Sequence, residues 1–577
     1  MTTALSDDSV TNAAPAGGSH AWAPRARFWL DRLLEWPSEG GTAGEQTLAQ
    51  KLAAELAQLP YFAAHPQQLW RQPAWPGGPE NLFALARGQG PETVVLSGHF
   101  DTVTSRNYGP LAPLANRPEE LRAALVRSLQ SAPATGPSVE RALRDLEGGD
   151  FLPGRGALDM KAGLAAGLAV LEVWLAQPEE ERQGNLLLMF SPDEEDSSRG
   201  ARAARSELVR AAGHWSLNIA AGINLDATSD QGDGSAGRAI YLGTVGKLLP
   251  VVCFVGRDTH AGFPFEGVSA HSMNAELLTR LELNPQHADA AHGEAAPPPI
   301  CLEARDFRAG YDVTTPQRVW SAYNVLSHAR TPQEVLDLML REAQAAMQAV
   351  LERHRTFAAQ AGQAFAGAQP QVMTLGELRE EVLASQPHYG REYAALLSEL
   401  VAETNPLQAS QRVMHWLLDR SERRGPLAVV GFGSLHYPHT HLSRHGVAGE
   451  RLLAAAQAVA AQHGLQVRHY FAGISDMSFI GTPLDPQTLA ELRRQQAAPT
   501  PNFCDDPQAT QLKFPTVNLG PWGRDYHQWL ERVHLPYATQ GLPAALWDLS
   551  TRLLTPARSS DAAGLNAAVP GAAAQRQ

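Results

Sequence analysis

The chain has 577 residues, 44% of them hydrophobic, enough for two or more domains with sizeable cores. Sixty acidic residues against 47 basic ones give a formal charge of -13 with no Lys/Arg arm or stripe, which argues against a nucleic-acid partner. The cysteines Cys253, Cys301 and Cys504 lie too far apart for a finger or redox pair and cannot form a complete disulfide framework, so a reducing, cytoplasmic setting is expected.

In chain order, residues 1–24 hold Asp7, Asp8 and many small polar residues, with no basic segment leading into an apolar one; no export signal is expected and the stretch reads as disordered. Helical patterns over 45–58, 160–176 and 199–212 alternate with the apolar runs 93–97 (TVVLS), 185–190 (NLLLMF) and 219–225 (IAAGINL), which have the continuous hydrophobicity of buried parallel strands. This alternation predicts an α/β fold, a three-layer catalytic domain with a mixed, mostly parallel sheet whose first part covers 25–243. Beyond it, AIYLGTVGKLLPVVCFVG reads as two strands around a Gly turn, 269–283 as a helix and 313–328 as further strand, so a smaller α+β domain is expected as an insertion over 244–355. The runs 427–432 and 514–519 are expected to resume the first sheet, making 356–555 the second part of that domain, with a helical elaboration over 377–419. The Ala/Gly/Pro-rich tail 556–577 reads as disordered, and no apolar stretch is long enough to cross ~30 Å of hydrocarbon, so no membrane contact is expected.

The acids and histidines fall at the ends of the predicted strands. TVVLSG leads to His99 and Asp101, NLLLMFSP to Asp193, Glu194 and Glu195, INL to Asp226, and FPTVNLGPWGRDY to His527. Asp159 stands immediately before the helix over 160–176. Open parallel sheets bind ligands at the carboxyl ends of their strands, so these residues are expected to converge on one crevice. Two imidazoles and several carboxylates without a thiolate suit borderline divalent ions such as Zn²⁺, Co²⁺ or Mn²⁺. A pair of ions needs a shared carboxylate, for which Asp159 is the candidate. Asp101, two residues after His99, is placed to orient its ring, and of the adjacent Glu194 and Glu195 one can bind metal while the other serves as general base.

With these residues in view, SGHFDTV (97–103), GRGALDMKAG (154–163), SPDEEDSSRGA (191–201), NLDATS (224–229) and GRDYHQWLERV (523–533) resemble the ordered metal-site motifs of the M20 family of co-catalytic metallopeptidases and amidohydrolases. The resemblance spans roughly residues 25–554. It implies a dinuclear metal hydrolase that cuts an amide or peptide C–N bond in a small amino-acid derivative or short peptide. Two divalent ions, Zn²⁺ by preference, would be held by His99, Asp159, Glu195, Asp226 and His527, with Asp159 bridging. Asp101 would orient His99, and Glu194 would be the acid/base. It also implies that the inserted domain is a lid used for dimerisation, so a homodimer is expected. In VGRDTHAGFPFEGVSAHSMNAELL (255–278), His260 is the candidate for stabilising the oxyanion, across a dimer. FAGISDMSFIG (471–481) resembles the stretch before the last ligand and makes Asp476 a structural or substrate-side residue. The chain's length, GISDMSF, GPWGRDYHQWLERV and YNVLSHARTPQEV resemble the branch of the arginine-utilisation protein RocB, which points to arginine, citrulline or ornithine catabolism. The spans 105–150 and 377–419 are longer than in compact relatives, leaving the pocket walls open.

The remaining candidates divide. His436, His439 and His441 in LHYPHTHLS are interrupted by Pro438 with no carboxylate beside them, so packing or pocket lining is expected rather than a metal site. Arg155 and Lys161 read as turn and first-turn helix residues. Arg305, Arg308 and Arg330 are candidates for holding a substrate carboxylate, against the plainer reading of surface arginines. The rival function is a catalytically silent metabolite-binding or regulatory protein on the same fold, and a third reading is a mononuclear hydrolase.

Overall fold

The computed structural model describes residues 22–131, 136–229, 237–308, 310–365, 367, 369–481, 484–505 and 512–555. The expected disorder of 1–21 and of 556–577 lies outside these residues. Residues 22–24, included in that expectation, are helical instead: Trp22 opens the helix Trp22–Leu34 and its ring lies 5.8 Å from that of Trp547.

The central sheet has eight strands in the order Leu69–Pro73, Glu80–Ala86, Gln183–Ser191, Gln89–His99, Asn218–Asn224, Thr516–Asn518, Ala239–Tyr241, Gln466–Arg468. The inner pairings from Gln183–Ser191 to Thr516–Asn518 are parallel, and antiparallel pairings flank them on both sides. Successive side chains of Gln89–His99 face opposite ways, as a pleated strand requires. Val94 and Leu96 pack with Leu164 and Leu168 of the helix Ala162–Ala176, while Val95 packs with Ala204 and Leu208 of the helix Arg199–Trp215. Burial on both faces is why these strands read as unbroken apolar runs.

Gly163 brings the Ala162–Ala176 helix onto the sheet, since a Cβ there would stand 2.2 Å from the carbonyl oxygen of Leu225. The turn carrying Asp159 is thereby held beside the strand end carrying Asp226.

A second sheet is built from Gly246–Leu248, Arg318–Ser327, Pro250–Val255, Leu427–Phe432 and Gln371–Thr374, with Ile300–Asp306 also pairing Arg318–Ser327. Here the structure corrects the expected layout. Leu427–Phe432 does not resume the first sheet; it pairs antiparallel with Pro250–Val255, from Pro250 opposite Phe432 to Val255 opposite Leu427. A fully buried apolar strand has no polar face to identify its sheet, so local sequence does not distinguish the two. The second domain therefore extends well beyond residue 355. The helices Leu375–Ser385, Tyr389–Leu400 and Pro406–Arg420 of the elaboration cover one face of its sheet through Leu378, Val382, Leu400, Val413 and Leu417. The helices Ala270–Leu281 and Pro332–Gln360 cover the other. The run after residue 238 also divides differently from the expected two strands: Ala239–Tyr241 stays in the first sheet, Gly243–Thr244 pairs with Thr440–His441, and the rest enters the second sheet. Among the described residues no helix is long and apolar enough to cross a membrane.

Candidate metal centre

His99 is the last residue of its strand and is 1% exposed. Its Nε2 lies 3.2 Å from Asp159 Oδ1, 3.8 Å from Glu194 Oε2 and 3.9 Å from Asp226 Oδ1. His527 Nε2 lies 3.0 Å from Asp159 Oδ2 and 3.1 Å from Glu195 Oε1. The five expected ligands thus gather around Asp159, whose two oxygens face two different imidazoles. His99, Asp159 and Glu195 each offer a ligand atom within 4.8 Å of the others.

The supports come from several parts of the chain. Asp101 Oδ1 and Oδ2 accept the backbone N–H groups of Glu194 and Glu195, both at 3.1 Å, and Oδ1 lies 3.5 Å from His99 Nδ1. One carboxylate therefore ties two strand ends together. Asn518 Oδ1 accepts the N–H of Asp226 and its Nδ2 donates to Asp226 O, fixing the third. His527 sits in a tight loop at φ 63°, and its carbonyl accepts Asn107 Nδ2 at 2.8 Å. Asn107 belongs to the long span 105–150, which packs against Trp529 and Leu530 and so buttresses the His527 loop. Asp193 turns away to pair with Arg199 Nη2 at 2.7 Å.

Sequence reasoning missed Asn107, Asn518 and Glu531, and undervalued Arg155. Glu531 Oε1 accepts the N–H of Leu158 and Asp159 at 3.2 and 3.3 Å, and its Oε2 binds the guanidinium of Arg155, which is itself 2% exposed. An uninterrupted acid in QWLERV looks like a surface glutamate, and no local signal marks it. Lys161 is a structural residue, its Nζ donating to Leu33 O and Trp36 O.

The electrostatics describe a set short of positive charge. Burial, with the charge of Asp159, pushes Asp226 up to about 7. Burial raises Glu194 well above the usual carboxylate range, helped by Asp226, Asp476 and Glu195 against the pull of His99. Burial lifts Asp476, which accepts Ser191 Oγ at 2.7 Å, to about 6. His527 is driven to about 10, the bonds to Asp159 and Glu195 outweighing its burial. Six buried or half-buried acids around two imidazoles would be balanced by added cations, and the mixed N/O donor set without thiolate fits borderline divalent ions.

The remaining candidates lie outside this cluster. His260 is exposed, and its Nδ1 accepts the N–H of Gly262 within its own loop in the second domain. Arg305 binds Glu303 and Gln411, Arg308 binds Asp306, and Arg330 donates to His287 O, so the candidate arginines are paired within the second domain. His436 is buried and His439 meets Ser327 and Arg444.

Residues 135–508 match the model of Peptidase family M20/M25/M40. The chain is 30% identical over 548 residues to the uncharacterized protein YqjN of Bacillus subtilis (strain 168), covering 93% of this chain and 97% of that protein. It is 28% identical over 554 residues to Protein RocB of the same organism, covering 92% and 95%. Among solved structures, the aminopeptidase PepT of Bacillus cereus ATCC 10987 shares the fold at a TM-score of 0.50 and 14% identity, over 92% of this chain and 99% of that one.

Proposed function

The chain belongs to Peptidase family M20/M25/M40, and from that premise we propose that it is a co-catalytic two-metal hydrolase cutting the C–N amide bond of a small amino-acid derivative or short peptide. The observation that carries this reading is the position of Asp159, one oxygen toward His99 and the other toward His527. His99 and Asp226 would hold one ion, Glu195 and His527 the other, and Asp159 both; Zn²⁺ is the preferred metal. When bound, such a pair lowers the pKa of a water and polarises a carbonyl.

The chain's own residues do the rest. Glu195 is engaged with His527, whereas the oxygen of Glu194 nearest His99 is still 3.8 Å away, so Glu194 is the group left to move protons. Its raised affinity for a proton suits it to take one from the attacking water and return it to the leaving nitrogen. Asp101 orients His99 and holds Glu194 in place. His260, exposed on the second domain, would reach the oxyanion of a neighbouring subunit in a homodimer. The resemblance to the arginine-utilisation branch favours an amide derivative of arginine, citrulline or ornithine as substrate. The three cysteines, too few and too widely spaced for a disulfide framework, suit a cytoplasmic setting.

The test is metal analysis joined to turnover on a panel of such amides and dipeptides. Chelation should abolish hydrolysis and Zn²⁺ or Co²⁺ restore it; Asp159→Ala should lose two ions per chain. Glu194→Gln should keep its metal and lose ~10²–10⁴-fold in kcat. Full turnover by Glu194→Gln would remove the base assignment. A single ion at this centre in wild type, with indifference to Asp159→Ala, would favour a mononuclear enzyme, and metal binding without hydrolysis of any panel member would favour a silent binding protein.

A further inference from the structure

A second gathering of imidazoles lies away from the His99 cluster and shares no residue with it. His441 Nε2 is 3.2 Å from His469 Nδ1, and His292, His441 and His469 each offer a nitrogen within 4.8 Å of the others. Two imidazole nitrogens bound tetrahedrally to one ion at ~2.0–2.1 Å would stand ~3.3 Å apart, so the His441–His469 spacing is already that of two ligands.

We propose that His292, His441 and His469 form a separate site for one borderline divalent ion of the Zn²⁺, Co²⁺ or Ni²⁺ type, which staples the second domain to the first. The three residues come from both sides of the seam. His469 follows the edge strand Gln466–Arg468 of the eight-stranded sheet. His441 ends Thr440–His441, which pairs with Gly243–Thr244 where the chain crosses between domains. His292 stands at the tip of the hairpin Ala290–Ala291 with Glu294–Ala295, an outlying loop of the second domain.

The surroundings favour a ligand role. Ser443 holds the ring of His441 from Nδ1, its backbone N–H donating there at 3.2 Å with Oγ 2.7 Å away; binding an ion through Nε2 shifts the ring proton to Nδ1, where Oγ accepts it and the backbone bond is given up. Glu294 accepts the N–H groups of His469 and Tyr470 at 3.1 and 3.2 Å, so the hairpin is already docked on the His469 segment. The neighbouring guanidinium of Arg444 is turned to His439.

His292 sets the cost. Its ring stacks on His441 with centroids 4.0 Å apart and planes 18° apart, and on His469 at 5.0 Å and 13°. A ligand meets an ion in its ring plane, so His292 must turn about χ1 to bind. It is exposed, in a turn with Gly293, so this rotation displaces no packed core. The site thus has two ligands already at ligand spacing and a third that turns onto the ion, locking a hairpin already seated on the first domain.

The test uses full-length protein stripped with chelator, dialysed against buffered Zn²⁺ and assayed for ions per chain. Wild type should hold one ion more than His292→Ala or His469→Ala, or bind that ion at least ten-fold more tightly. In the Asp159→Ala background the site should survive, giving one ion per chain and, with Co²⁺, a tetrahedral visible spectrum that is lost on adding His469→Ala. That background separates this inference from the catalytic reading, because either site can fail without the other. His292→Ala lies at an exposed turn and guards against a variant that merely fails to fold. Equal zinc content and equal affinity in wild type, His292→Ala and His469→Ala would overturn the site, as would an Asp159→Ala protein that binds no ion.

Discussion

Glu531 Oε1 accepts the backbone N–H of Asp159 at 3.3 Å, across 372 positions of sequence. The glutamate's other oxygen holds Arg155, and both side chains are almost wholly buried. Removing one partner of such a pair leaves an uncompensated charge, which costs ~3–5 kcal/mol, whereas removing both is cheaper than the sum. Glu531→Ala and Arg155→Ala should each lower urea stability by about that amount, with the double variant well short of additive. Strict additivity would mean that the two charges do not depend on each other.

Asp101 accepts the N–H groups of Glu194 and Glu195, one on each oxygen, so Asp101→Asn turns an amide donor against one of them and takes the negative charge from beside His99. Loss of such a supporting carboxylate weakens metal affinity by ~10–100-fold. Competition with a fluorescent chelator measures this, and an unchanged Kd would show that the strand ends hold themselves.

Gly163→Ala forces a Cβ to within 2.2 Å of Leu225 O, which is backbone and cannot swing aside. Alanine gains ~1 kcal/mol over glycine inside a helix, but crowding costs ~1–3 kcal/mol and the helix must move off the strand end. The variant should melt lower and bind metal less tightly, whereas Gly213→Ala, with nothing within 4 Å, should not melt lower. A stabilised Gly163→Ala would contradict the close approach.

Glu45, in the first turn of the helix Ala43–Leu56, is pushed up to about 7 by burial and then by the charge of Asp101. Its folded pKa lies above the unfolded value of ~4.3. Its contribution to stability is therefore full below ~4.3 and is lost as pH rises through about 7. Wild type should lose more stability between pH 5 and pH 8 than Glu45→Gln does, read from urea midpoints. Parallel losses in the two proteins would rule out this titration.

The meeting of His99, Asp159, Glu195, Asp226 and His527 is legible in the amino-acid order, because parallel strands deliver their carboxyl ends to one edge and an acid or imidazole just past an apolar run is placed there by the chain itself. The three-layer α/β architecture of the first domain follows from the same runs. The sequence by itself therefore determined which chemistry gathers and on what kind of sheet. Only the tertiary structure decided that Leu427–Phe432 closes the second sheet, that span 105–150 steadies His527 through Asn107, and that Glu531 fastens Asp159. It alone brought His292 and His469 to His441. Each of these depends on a partner hundreds or tens of residues away, and a buried strand, a lone glutamate or a loop histidine has the same local pattern wherever it docks; long-range packing, which carries no local periodicity, makes the choice.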